Sequence, residues 1–386
     1  MLARAATLVE PGTYELREYP VAEPGPGAAL IKNELSGICG TDKHTYQGFT
    51  TQYAGTSSLS STPFPIIQGH ENVGTIEALN GAVYDFEGEP LGVGDRVVLG
   101  PNVTCKRCHA CTHGYPIALC SNIQDYGNTM SASQPPHLFG GWAEYMYAIP
   151  GSYIYRVPDD LPSNVAVLAE VFAVTACLDR AKGASLFPSE AFLFDDTVVV
   201  YGMGPLGLCH VMKARMLGAG TIVAVDLSDS RLEFAGRIGA DHVINAARVD
   251  AEGQLELVRD VTRGRGADVV IECAGVPGVI PTCIDLLRPG GLLLEVGNFS
   301  DLGEVSISPH RHLCSKGIRL FGVAGNEPGA YLPGMRQLAR YRRSYPVDEL
   351  VSDAFPLERT DEAVKRSMDP DSLKVVMDPW AEQSGV

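Results

Sequence analysis

Four cysteines lie close together in the chain and have the chemistry needed to hold a metal ion tightly. Cys105, Cys108, Cys111 and Cys120 follow the pattern C-x2-C-x2-C-x8-C in the segment TCKRCHACTHGYPIALC. Four thiolates complete the tetrahedral coordination of zinc and leave no open position for a substrate. An iron–sulfur cluster typically has a shorter last spacing followed by Pro, and disulfides belong to oxidising compartments. The spacing therefore predicts a structural zinc, which contributes folding free energy and not catalysis.

A second set of metal-binding side chains is spread along the chain. It consists of Cys39 in GICGTDKH, His70 and Glu71 in GHE, and Glu170 in LAEVFAV. One thiolate, one imidazole and carboxylates can hold zinc while leaving a coordination position free for a substrate. Their spacing in the sequence does not show that these residues bind one metal ion. As an alternative to a metal site, the cysteine would be an ordinary buried residue, the histidine would be hydrogen-bonded in the protein, and the glutamates would be exposed. From these residues alone both interpretations stay open.

A glycine-rich segment, GMGPLG, directly follows the apolar stretch TVVVY and opens a helical stretch. Gly202 can make the tight turn, Gly204 can let a pyrophosphate approach the backbone, and Gly207 can let the helix pack on the strand. Pro205 suits the first helical turn, where its missing N–H costs little. Exposed amides and the helix dipole favour an anion, so the segment predicts a dinucleotide-binding loop. A glycine turn that binds nothing is the alternative.

Asp226 ends the next apolar stretch, TIVAVD, where a carboxylate can accept hydrogen bonds from the two ribose hydroxyls of NAD. The same carboxylate would repel the 2′-phosphate of NADP. Ser228 and Arg231 lie nearby, and a guanidinium can accept that phosphate, so NADP stays open as the alternative. The sequence favours NAD as the cofactor.

Positioning these residues requires two kinds of domain. From Thr197 onward, apolar strands alternate with helical stretches through TVVVYG, TIVAVD, DHVIN, DVVIECAG, GGLLLEVGN and IRLFGVAG. About six strands in this rhythm predict a doubly wound parallel sheet. Before Leu161, short strands such as AALIKNEL, GTIEAL and DRVVLG are broken by Pro and Gly, which predicts an irregular antiparallel β domain. The C-terminal segment, which ends on the strand LKVV, is expected to return to this first domain.

Composition and charge exclude several classes of protein. The chain has 386 residues, of which 45% are hydrophobic and 20% charged, as in ordinary globular proteins of about two or three domains. Thirty Lys and Arg against 46 Asp and Glu give a net charge of −16, the wrong sign for a nucleic acid or an anionic membrane as partner. No uncharged apolar run reaches the roughly 18 residues of a membrane span. The ten cysteines are dispersed or spaced for metal, which indicates a reducing cytoplasm.

Together these motifs resemble the zinc-containing medium-chain alcohol dehydrogenase family, and more closely its sorbitol and threonine dehydrogenase-like members. The similar segments run along nearly the whole chain and include VAEPGPGAALIK, GICGTDKH, PIIQGHENVG, GVGDRVV, the four-cysteine loop, GGWAEY, GMGPLG, LRPGG and LKVV. The resemblance implies an α/β protein with a GroES-like β catalytic domain and a Rossmann domain that has a doubly wound parallel sheet. The expected boundaries are 1–168 for the catalytic domain, completed by 331–386, and 169–330 for the Rossmann domain.

The resemblance also implies roles for the dispersed metal-binding residues. Cys39 and His70 are expected to bind a catalytic zinc, with Glu170 as the third protein ligand. Glu71 is expected to be an adjacent carboxylate that can exchange with water at the metal. Cys177 is the alternative third ligand, because some members of the family use a cysteine there.

A proton relay is expected beside that zinc. Thr41 and His44 stand two and five residues after Cys39, which is the relay spacing of the family. Zinc as a Lewis acid lowers the pKa of a bound alcohol, and the proton would leave through the Thr41 hydroxyl, the cofactor ribose and His44. Asp42 resembles the family's carboxylate that orients a ligating histidine such as His70. A plain loop hydroxyl and a solvated histidine are the structural alternatives for the relay pair.

The family resemblance adds contacts to the nicotinamide cofactor. Backbone around Gly275, Val296, Gly297 and Gly325 is expected to border the nicotinamide ring, and Lys374 is expected to approach the cofactor phosphates. The complete predicted cofactor site consists of Gly202, Gly204, Pro205, Leu206, Gly207, Asp226, Arg231, Gly275, Val296 and Gly297.

Three segments depart from the family pattern. Eight residues precede Cys120 in the four-cysteine loop where the family usually has seven, so we expect a slightly bulged loop before the last ligand. The stretches ASLFPSEAFLFDD and Thr50 to Thr62 are longer than usual. These differences weaken any transfer of substrate identity from the family.

The leading hypothesis is a zinc-dependent oxidoreductase that transfers a hydride between a secondary alcohol and NAD and so forms the ketone. The alcohol is expected to be a polyol or a similar hydroxylated metabolite. Two zinc ions per chain, one at each ligand set, and a homodimer or homotetramer are expected. The alternatives are an NADP-preferring aldehyde or ketone reductase of the same family, and a dinucleotide-binding protein without catalysis.

Overall fold

The structure, a computed structural model, describes residues 1–183 and 192–381, so part of the stretch ASLFPSEAFLFDD lies outside the described residues. The chain divides into two compact units. The first comprises Met1–Ala173, Asn326–Arg343 and the described chain from Val347 onward. The second comprises Val174–Gly325 with Ser344–Pro346. The boundaries predicted from the sequence stood at 168/169 and 330/331.

The described strands are numbered in chain order. They are β1 (Leu2–Glu10), β2 (Thr13–Pro20), β3 (Ala29–Gly37), β4 (Thr51–Gln52), β5 (Ser60–Ser61), β6 (Ile66–Ile67), β7 (Glu71–Leu79), β8 (Arg96–Leu99), β9 (Asn102–Val103), β10 (Gln124–Asp125), β11 (Tyr145–Ala148), β12 (Ile154–Arg156), β13 (Thr197–Tyr201), β14 (Thr221–Asp226), β15 (His242–Asn245), β16 (Ala267–Glu272), β17 (Leu287–Glu295), β18 (Arg319–Gly322), β19 (Val351–Phe355) and β20 (Lys374–Met377).

The described α-helices are numbered in the same way. They are α1 (Gly40–Tyr46), α2 (His109–Thr112), α3 (Ser163–Ala166), α4 (Ala169–Val174), α5 (Cys177–Ala181), α6 (Pro205–Met216), α7 (Asp229–Arg237), α8 (Ala251–Val261), α9 (Ile280–Leu286), α10 (Tyr331–Tyr341) and α11 (Thr360–Met368). None of these described helices has the length and apolar character needed to cross a bilayer.

The first unit is built around a seven-stranded sheet in which β3 has a central place. Its strands follow the order β12-β8-β7-β3-β20-β19, and β11 also pairs with β3. Successive side chains of β3 enter two different apolar clusters: Leu30 belongs to one cluster, and Ala29 and Ile31 belong to the other. This alternation follows from the two-residue period of a strand. The pairing of β20 with β3 returns the C-terminal segment to this unit.

The second unit contains the predicted doubly wound sheet. Its six parallel strands follow the order β15-β14-β13-β16-β17-β18. This order is the one that two mononucleotide-binding halves produce when they are joined side by side. Strand β13, with the sequence TVVVY, is buried along its whole length, as expected for a parallel strand covered by helices on both faces. The α/β prediction with an irregular β domain and a Rossmann domain is confirmed.

Candidate metal and cofactor sites

Three of the dispersed ligand residues converge in the first unit. One ligand atom each from Cys39, His70 and Glu71 lies within 4.8 Å of the others. The strand register explains this convergence: β3 and β7 are antiparallel neighbours with Gly37 opposite Glu71, so the chain that leaves β3 places Cys39 beside the residues that enter β7. Gly37 is required at this pair, because a Cβ there would overlap Glu71 Oε2.

A buried carboxylate orients the histidine of this cluster. Cys39 precedes α1, and its backbone N–H donates a 2.8 Å hydrogen bond to Asp42 Oδ2 in the first turn of that helix. The other oxygen, Asp42 Oδ1, lies 3.7 Å from His70 Nδ1. A histidine whose Nδ1 faces a carboxylate presents Nε2 to a metal. The structure therefore places Asp42 where the resemblance predicted an orienting carboxylate.

The electrostatics of the cluster favour a cation. Burial alone would lower the pKa of His70, but the negative charges of Asp42 and Cys39 raise it well above its ordinary value. Burial also raises the pKa of Asp42. Glu71 Oε1 is buried with no hydrogen-bond donor among the described residues. Sulfur, nitrogen and oxygen donors that surround such a point fit the preferences of a divalent metal of the zinc type.

Lys374 pairs with a carboxylate of the metal cluster. Its side chain is buried in the first unit, where the ammonium forms an ion pair with Glu71 Oε2 and donates a 2.9 Å hydrogen bond to Ile38 O. Burial lowers the pKa of Lys374, but Glu71 and Cys39 outweigh this effect and raise it overall. The Glu71 carboxylate engages its charge, and the expected approach of Lys374 to the cofactor phosphates stays a prediction.

Glu170 lies in the first turn of α4 and is buried, as a ligand would be. Asn326 Nδ2 donates a 2.6 Å hydrogen bond to Glu170 Oε1. Burial raises the pKa of Glu170 to about 7, and the charges of His70 and Glu71 act on it as well. Its carboxylate is not part of the group within 4.8 Å, so its role as a ligand stays a prediction. Cys177, the alternative ligand, instead contacts His210 in the second unit, with Sγ 3.3 Å from Nε2.

The predicted relay residues share one helix of the first unit. Thr41 Oγ1 lies 3.5 Å from His70 Nε2 and is buried. His44 lies one turn further along α1, on the same side of the helix as Thr41, and packs edge-on against Phe49. Burial lowers the pKa of His44, and the charge of Lys43 acts in the same direction. Thr41 therefore lies at the metal cluster, and the relay through His44 stays a prediction.

The four cysteines form a compact group of their own. One Sγ from each of Cys105, Cys108, Cys111 and Cys120 lies within 4.8 Å of the others. The Cys108 and Cys111 sulfurs are 3.5 Å apart, and Cys105 N–H donates to Cys120 Sγ at 3.3 Å. The eight-residue segment between Cys111 and Cys120 ends in a 3₁₀ turn, Ile117–Leu119, directly before Cys120. The donor set and its compactness fit a tetrahedral zinc.

Two short strands close the neck of the cysteine loop. Strand β9 precedes Cys105, strand β10 follows Cys120, and the two strands are antiparallel with Asn102 opposite Asp125. The side chain of Asn102 also hydrogen-bonds Asp125 Oδ1. Within the loop, hydrogen bonds from the Cys111 backbone and from Ser121 lower the pKa of Cys108 to about 5. A thiolate stabilised in this way is the ligand form that zinc requires.

The glycine loop of the second unit has the geometry of a phosphate-binding loop. Gly202 follows β13 with φ +96°, and a Cβ there would lie 2.5 Å from Ala274 N. Gly207 packs so closely that a Cβ would overlap Gly202 O. By contrast, a Cβ on Gly204 would meet nothing within 4 Å. Gly204 is the N-cap of α6, and Pro205 is its first residue, so the open space lies at the positive end of the helix dipole.

Asp226 lies at the carboxyl end of β14 and reaches this glycine loop. Its Oδ2 accepts a 2.6 Å hydrogen bond from Met203 N, and its Oδ1 accepts one of 2.8 Å from Ser228 N. Ser228 is the N-cap of α7 and accepts from Arg231 N at 3.3 Å. The backbone of Arg231 therefore belongs to the first turn of α7, while the choice between NAD and NADP stays a prediction. Leu206 lies in the first turn of α6, inside the same loop.

The predicted nicotinamide-bordering residues lie after the neighbouring strands β16 and β17. Gly275 has φ +68°, and a Cβ there would lie 2.7 Å from Gly297 O. The N–H groups of Val296 and Gly297 both donate to Glu272 O, at 3.1 and 3.0 Å. The structure brings Gly275, Val296 and Gly297 together at the carboxyl edge of the sheet, which is where cofactors bind in open α/β sheets. Gly325, with φ +67°, ends the long segment Val174–Gly325 of the second unit.

Two residues of the metal cluster were not assigned there from the sequence. Lys374 carried a signal, since a lysine within the apolar strand LKVV requires a buried partner of opposite charge. Asn326, which hydrogen-bonds Glu170, lies in an irregular segment with no spacing that relates it to α4. Only the folded chain identifies it as a neighbour of the site.

Comparisons with known proteins match the first unit to one protein-family model and the second unit, with part of the C-terminal segment, to another. Residues 25–159 match the family model described as Alcohol dehydrogenase GroES-like domain, and residues 205–340 match the model described as Zinc-binding dehydrogenase. The first match covers most of the β unit, including the four cysteines. The second begins at the start of α6, directly after the first two fingerprint glycines.

Similar proteins extend over almost the full chain. A 5-exo-hydroxycamphor dehydrogenase of Pseudomonas putida is 33% identical over 97% of this chain and 98% of its own. A sorbitol dehydrogenase of Bacillus subtilis is 33% identical over 97% of each. The crystal structure of an alcohol dehydrogenase from Thermotoga maritima superposes with a TM-score of 0.87 at 26% identity, over 98% of this chain and 99% of that one.

Proposed function

Because this chain belongs to the zinc-containing medium-chain alcohol dehydrogenase family, we propose that it oxidises a secondary alcohol to the ketone with NAD as hydride acceptor. The observation that carries this proposal is the convergence of Cys39, His70 and Glu71 within 4.8 Å in the unit that matches the GroES-like model. The glycine loop and Asp226 in the other unit supply the matching cofactor site. A polyol or similar hydroxylated metabolite is the proposed substrate class, as the name of the sorbitol dehydrogenase relative suggests.

Cys39, His70, Glu71 and Glu170 are the residues that would hold the catalytic zinc. When bound, zinc supplies Lewis-acid polarisation that lowers the pKa of a substrate hydroxyl. Asp42 keeps the His70 ring in the orientation that presents Nε2, and Lys374 offsets the charge of Glu71. Asn326 donates a hydrogen bond to Glu170 Oε1 and would hold this carboxylate as the further ligand. The chain thus provides four donors, of which one can yield its place to a substrate.

Thr41 is the group proposed to accept the substrate proton. Its Oγ1 lies 3.5 Å from His70 Nε2, so a hydroxyl bound beside His70 comes within reach of it. A hydroxyl relays a proton by accepting one and donating its own. His44, on the same helix, is proposed as the outer member of the relay. Its pKa, lowered by burial, keeps it neutral and able to accept a proton near neutral pH.

NAD is the proposed cofactor, and it supplies the hydride-accepting nicotinamide when bound. The amides at the start of α6 and the open space at Gly204 would hold its pyrophosphate. Asp226 would accept the ribose hydroxyls, and its negative charge would repel a 2′-phosphate. An NADP preference is the alternative, and Arg231 is the residue that would have to favour it.

A second zinc, held by Cys105, Cys108, Cys111 and Cys120, is proposed to be structural, which gives two zinc ions per chain. None of the ten cysteines, all of which lie within the described residues, forms a disulfide, which supports the proposed cytoplasmic location. A homodimer or homotetramer is proposed through the sheet of the second unit. Strand β18 forms an edge of that sheet, and Leu320 and Phe321 on it are 47% and 36% exposed.

The test combines metal analysis with a substrate screen. Plasma emission analysis of the purified protein should give about two zinc ions per chain. An NAD-reduction screen over polyols, amino alcohols, sugar phosphates and terpene alcohols should give strong turnover with one class, which a chelator abolishes. The same screen with NADP separates the two cofactor assignments. Turnover that survives complete removal of zinc, or the absence of turnover with every alcohol and both cofactors, would contradict the proposal.

A further inference from the structure

Two glutamates face each other at the carboxyl edge of the parallel sheet in the second unit. Glu272 ends β16, Glu295 ends β17, and the two residues are direct partners in the strand register. Glu272 is fully buried and Glu295 is half-buried. Like charges directly opposite each other on neighbouring strands repel, and burial strengthens that repulsion. The pair therefore needs an arrangement that avoids two full negative charges.

Every donor found for this pair among the described residues is an uncharged amide. Glu272 Oε1 accepts hydrogen bonds from the backbone N–H groups of Ala274 at 2.7 Å and Gly275 at 3.0 Å. Asn298 Nδ2 donates to Glu272 Oε2 at 3.2 Å and to Glu295 Oε1 at 3.0 Å. Glu295 Oε2 is buried and finds no donor in the described ranges. Asn298 N–H also donates to Glu295 Oε1 at 3.1 Å, so Glu295 Oε2 is the one oxygen of the pair without a donor among the described residues, and a proton shared between the two carboxyls would supply it.

We propose that Glu272 and Glu295 hold one proton between them, and that this carboxylic acid–carboxylate pair positions the two loops that follow β16 and β17. The protonated carboxyl donates its O–H to the other carboxylate, so the pair carries one negative charge instead of two. The Asn298 side chain bridges the two carboxyls, and the amides of Ala274 and Gly275 stabilise the remaining charge. Neither glutamate touches the reacting atoms, so both are positioning residues.

The groups around the pair do not remove the need for that proton. Burial and the neighbouring Glu295 raise the pKa of Glu272 to about 8. The titratable groups that face the pair are Cys273 after β16, Cys283 on α9 and Tyr201 on β13. Burial raises the pKa of all three side chains, so the two thiols and the phenol are neutral near pH 8 and add no charge beside the pair. The pair thus keeps its proton at pH 7 and loses it as the pH rises through 8.

Loss of the proton would act on the loops that are proposed to border the nicotinamide. Gly275 and Gly297 approach so closely that a Cβ on Gly275 would lie 2.7 Å from Gly297 O, and Gly297 N donates to Glu272 O at 3.0 Å. Repulsion between two ionised carboxylates pushes the ends of β16 and β17 apart and with them these loops. This step rests on the proposed function, because it takes the cofactor to bind there. Cofactor affinity should therefore fall as the pair ionises.

Direct titration of NAD binding measures this link. If only the singly protonated pair binds well, a pKa of about 8 makes the Kd of NAD about tenfold larger at pH 9 than at pH 7. In Glu295→Gln, an amide replaces the shared proton as the donor, so the Kd should change less than about twofold over that range. Glu256→Gln removes the same charge from an exposed position of α8 and should keep the wild-type pH profile. Isothermal titration calorimetry of the full-length protein gives all three profiles.

A cofactor-free measurement separates this proposal from the cofactor assignment. Infrared spectra of the wild-type protein with labelled glutamate should show a protonated carboxyl band that titrates near pH 8 and disappears by pH 9.5, distinct from the contribution of Glu170, whose pKa is about 7. The band should be missing in Glu295→Gln and present in Glu256→Gln. A wild-type protein without the band, or a Glu295→Gln variant that keeps the wild-type pH dependence of NAD affinity, overturns the proposal. A normal band in a protein that binds neither NAD nor NADP overturns the cofactor assignment instead and leaves the proton pair standing.

Discussion

The two candidate metal sites of the first unit are assembled over very different distances along the chain. The four-cysteine site takes every ligand from one loop, which β9 and β10 close at its neck. The other site takes Cys39 from the end of β3 and His70 with Glu71 from the start of β7, and Lys374 reaches it from β20. The first site depends on a local spacing, and the second depends on the pairing of strands that are remote in sequence.

The two sites also differ in the charges that surround them. The cysteine loop is partly open to solvent, and hydrogen bonds stabilise the thiolate of Cys108, whose pKa they lower. In the Cys39 site the cysteine is partly buried, while the charged side chains of both signs, Asp42, Glu71 and Lys374, are fully buried. Buried charges are costly unless they are paired, so proteins retain them where function needs them. This difference supports the proposal that the four-cysteine site serves mainly stability and the Cys39 site serves mainly chemistry.

The largest effect should come from removing one cysteine from each site. Cys39→Ser should lower kcat by about a thousandfold or more, because Lewis-acid polarisation of a substrate is worth several kcal/mol. Its urea unfolding curve should stay close to that of the wild type. Cys111→Ser should instead destabilise the fold by several kcal/mol, since binding of a structural zinc contributes folding free energy. If Cys39→Ser unfolds as readily as Cys111→Ser, the division of roles between the two sites is wrong.

The next largest effect concerns the buried ion pair of the mixed site. Lys374→Met leaves the Glu71 carboxylate buried without its cation, which should lower the free energy of unfolding by about 3–5 kcal/mol. Bound zinc compensates part of that charge, so the loss should be larger after chelation than in the zinc-loaded protein. Urea unfolding with and without zinc provides the measurement. Lys365→Met, which removes an exposed lysine from α11, is the matched control and should change little.

A smaller effect is expected for the residue that orients His70. Asp42→Asn keeps the shape of the side chain but removes the charge facing His70 Nδ1, and such changes typically weaken metal affinity by about 10–100-fold. Competition with a coloured zinc chelator should show one weakened site and one unchanged site per chain. Equal weakening of both sites, or of neither, would contradict the role assigned to Asp42.

The smallest effect is expected for a hydrogen bond that attaches a neighbouring segment to the cysteine loop. Ser58 Oγ is buried and donates a 2.6 Å hydrogen bond to Cys120 O, which ties the loop around residues 50–62 to the last cysteine. Ser58→Ala should lower the free energy of unfolding by about 1 kcal/mol, because Cys120 O loses one of two donors and keeps the Ile123 N–H at 3.2 Å. Ser57→Ala, on the exposed side of the same segment, should be nearly neutral. Thermal unfolding of both variants in zinc-saturated protein distinguishes them.

Much of the fold was predictable from the sequence because its signals are local. The alternation of apolar strands and helical stretches from Thr197 predicted the parallel sheet, and the cysteine spacing predicted the compact sulfur cluster. Resemblance to the family supplied the grouping of Cys39 with His70 and Glu71, which spacing alone left open. The pairing of Lys374 with Glu71 was not predicted, because a motif position does not show which partner a flexible ammonium contacts in the folded chain.

The amino-acid sequence alone determined those features whose parts lie within one turn or one loop of each other. The glycine cradle before α6 and the four-thiolate loop belong to this class, since a few neighbouring backbone angles decide them. The tertiary structure decided which remote side chains share a buried space. It placed Gly37 opposite Glu71, and Glu272 opposite Glu295, because strand register sets which side chains meet. Burial then decides which charges need a cation, a metal or a proton to remain there.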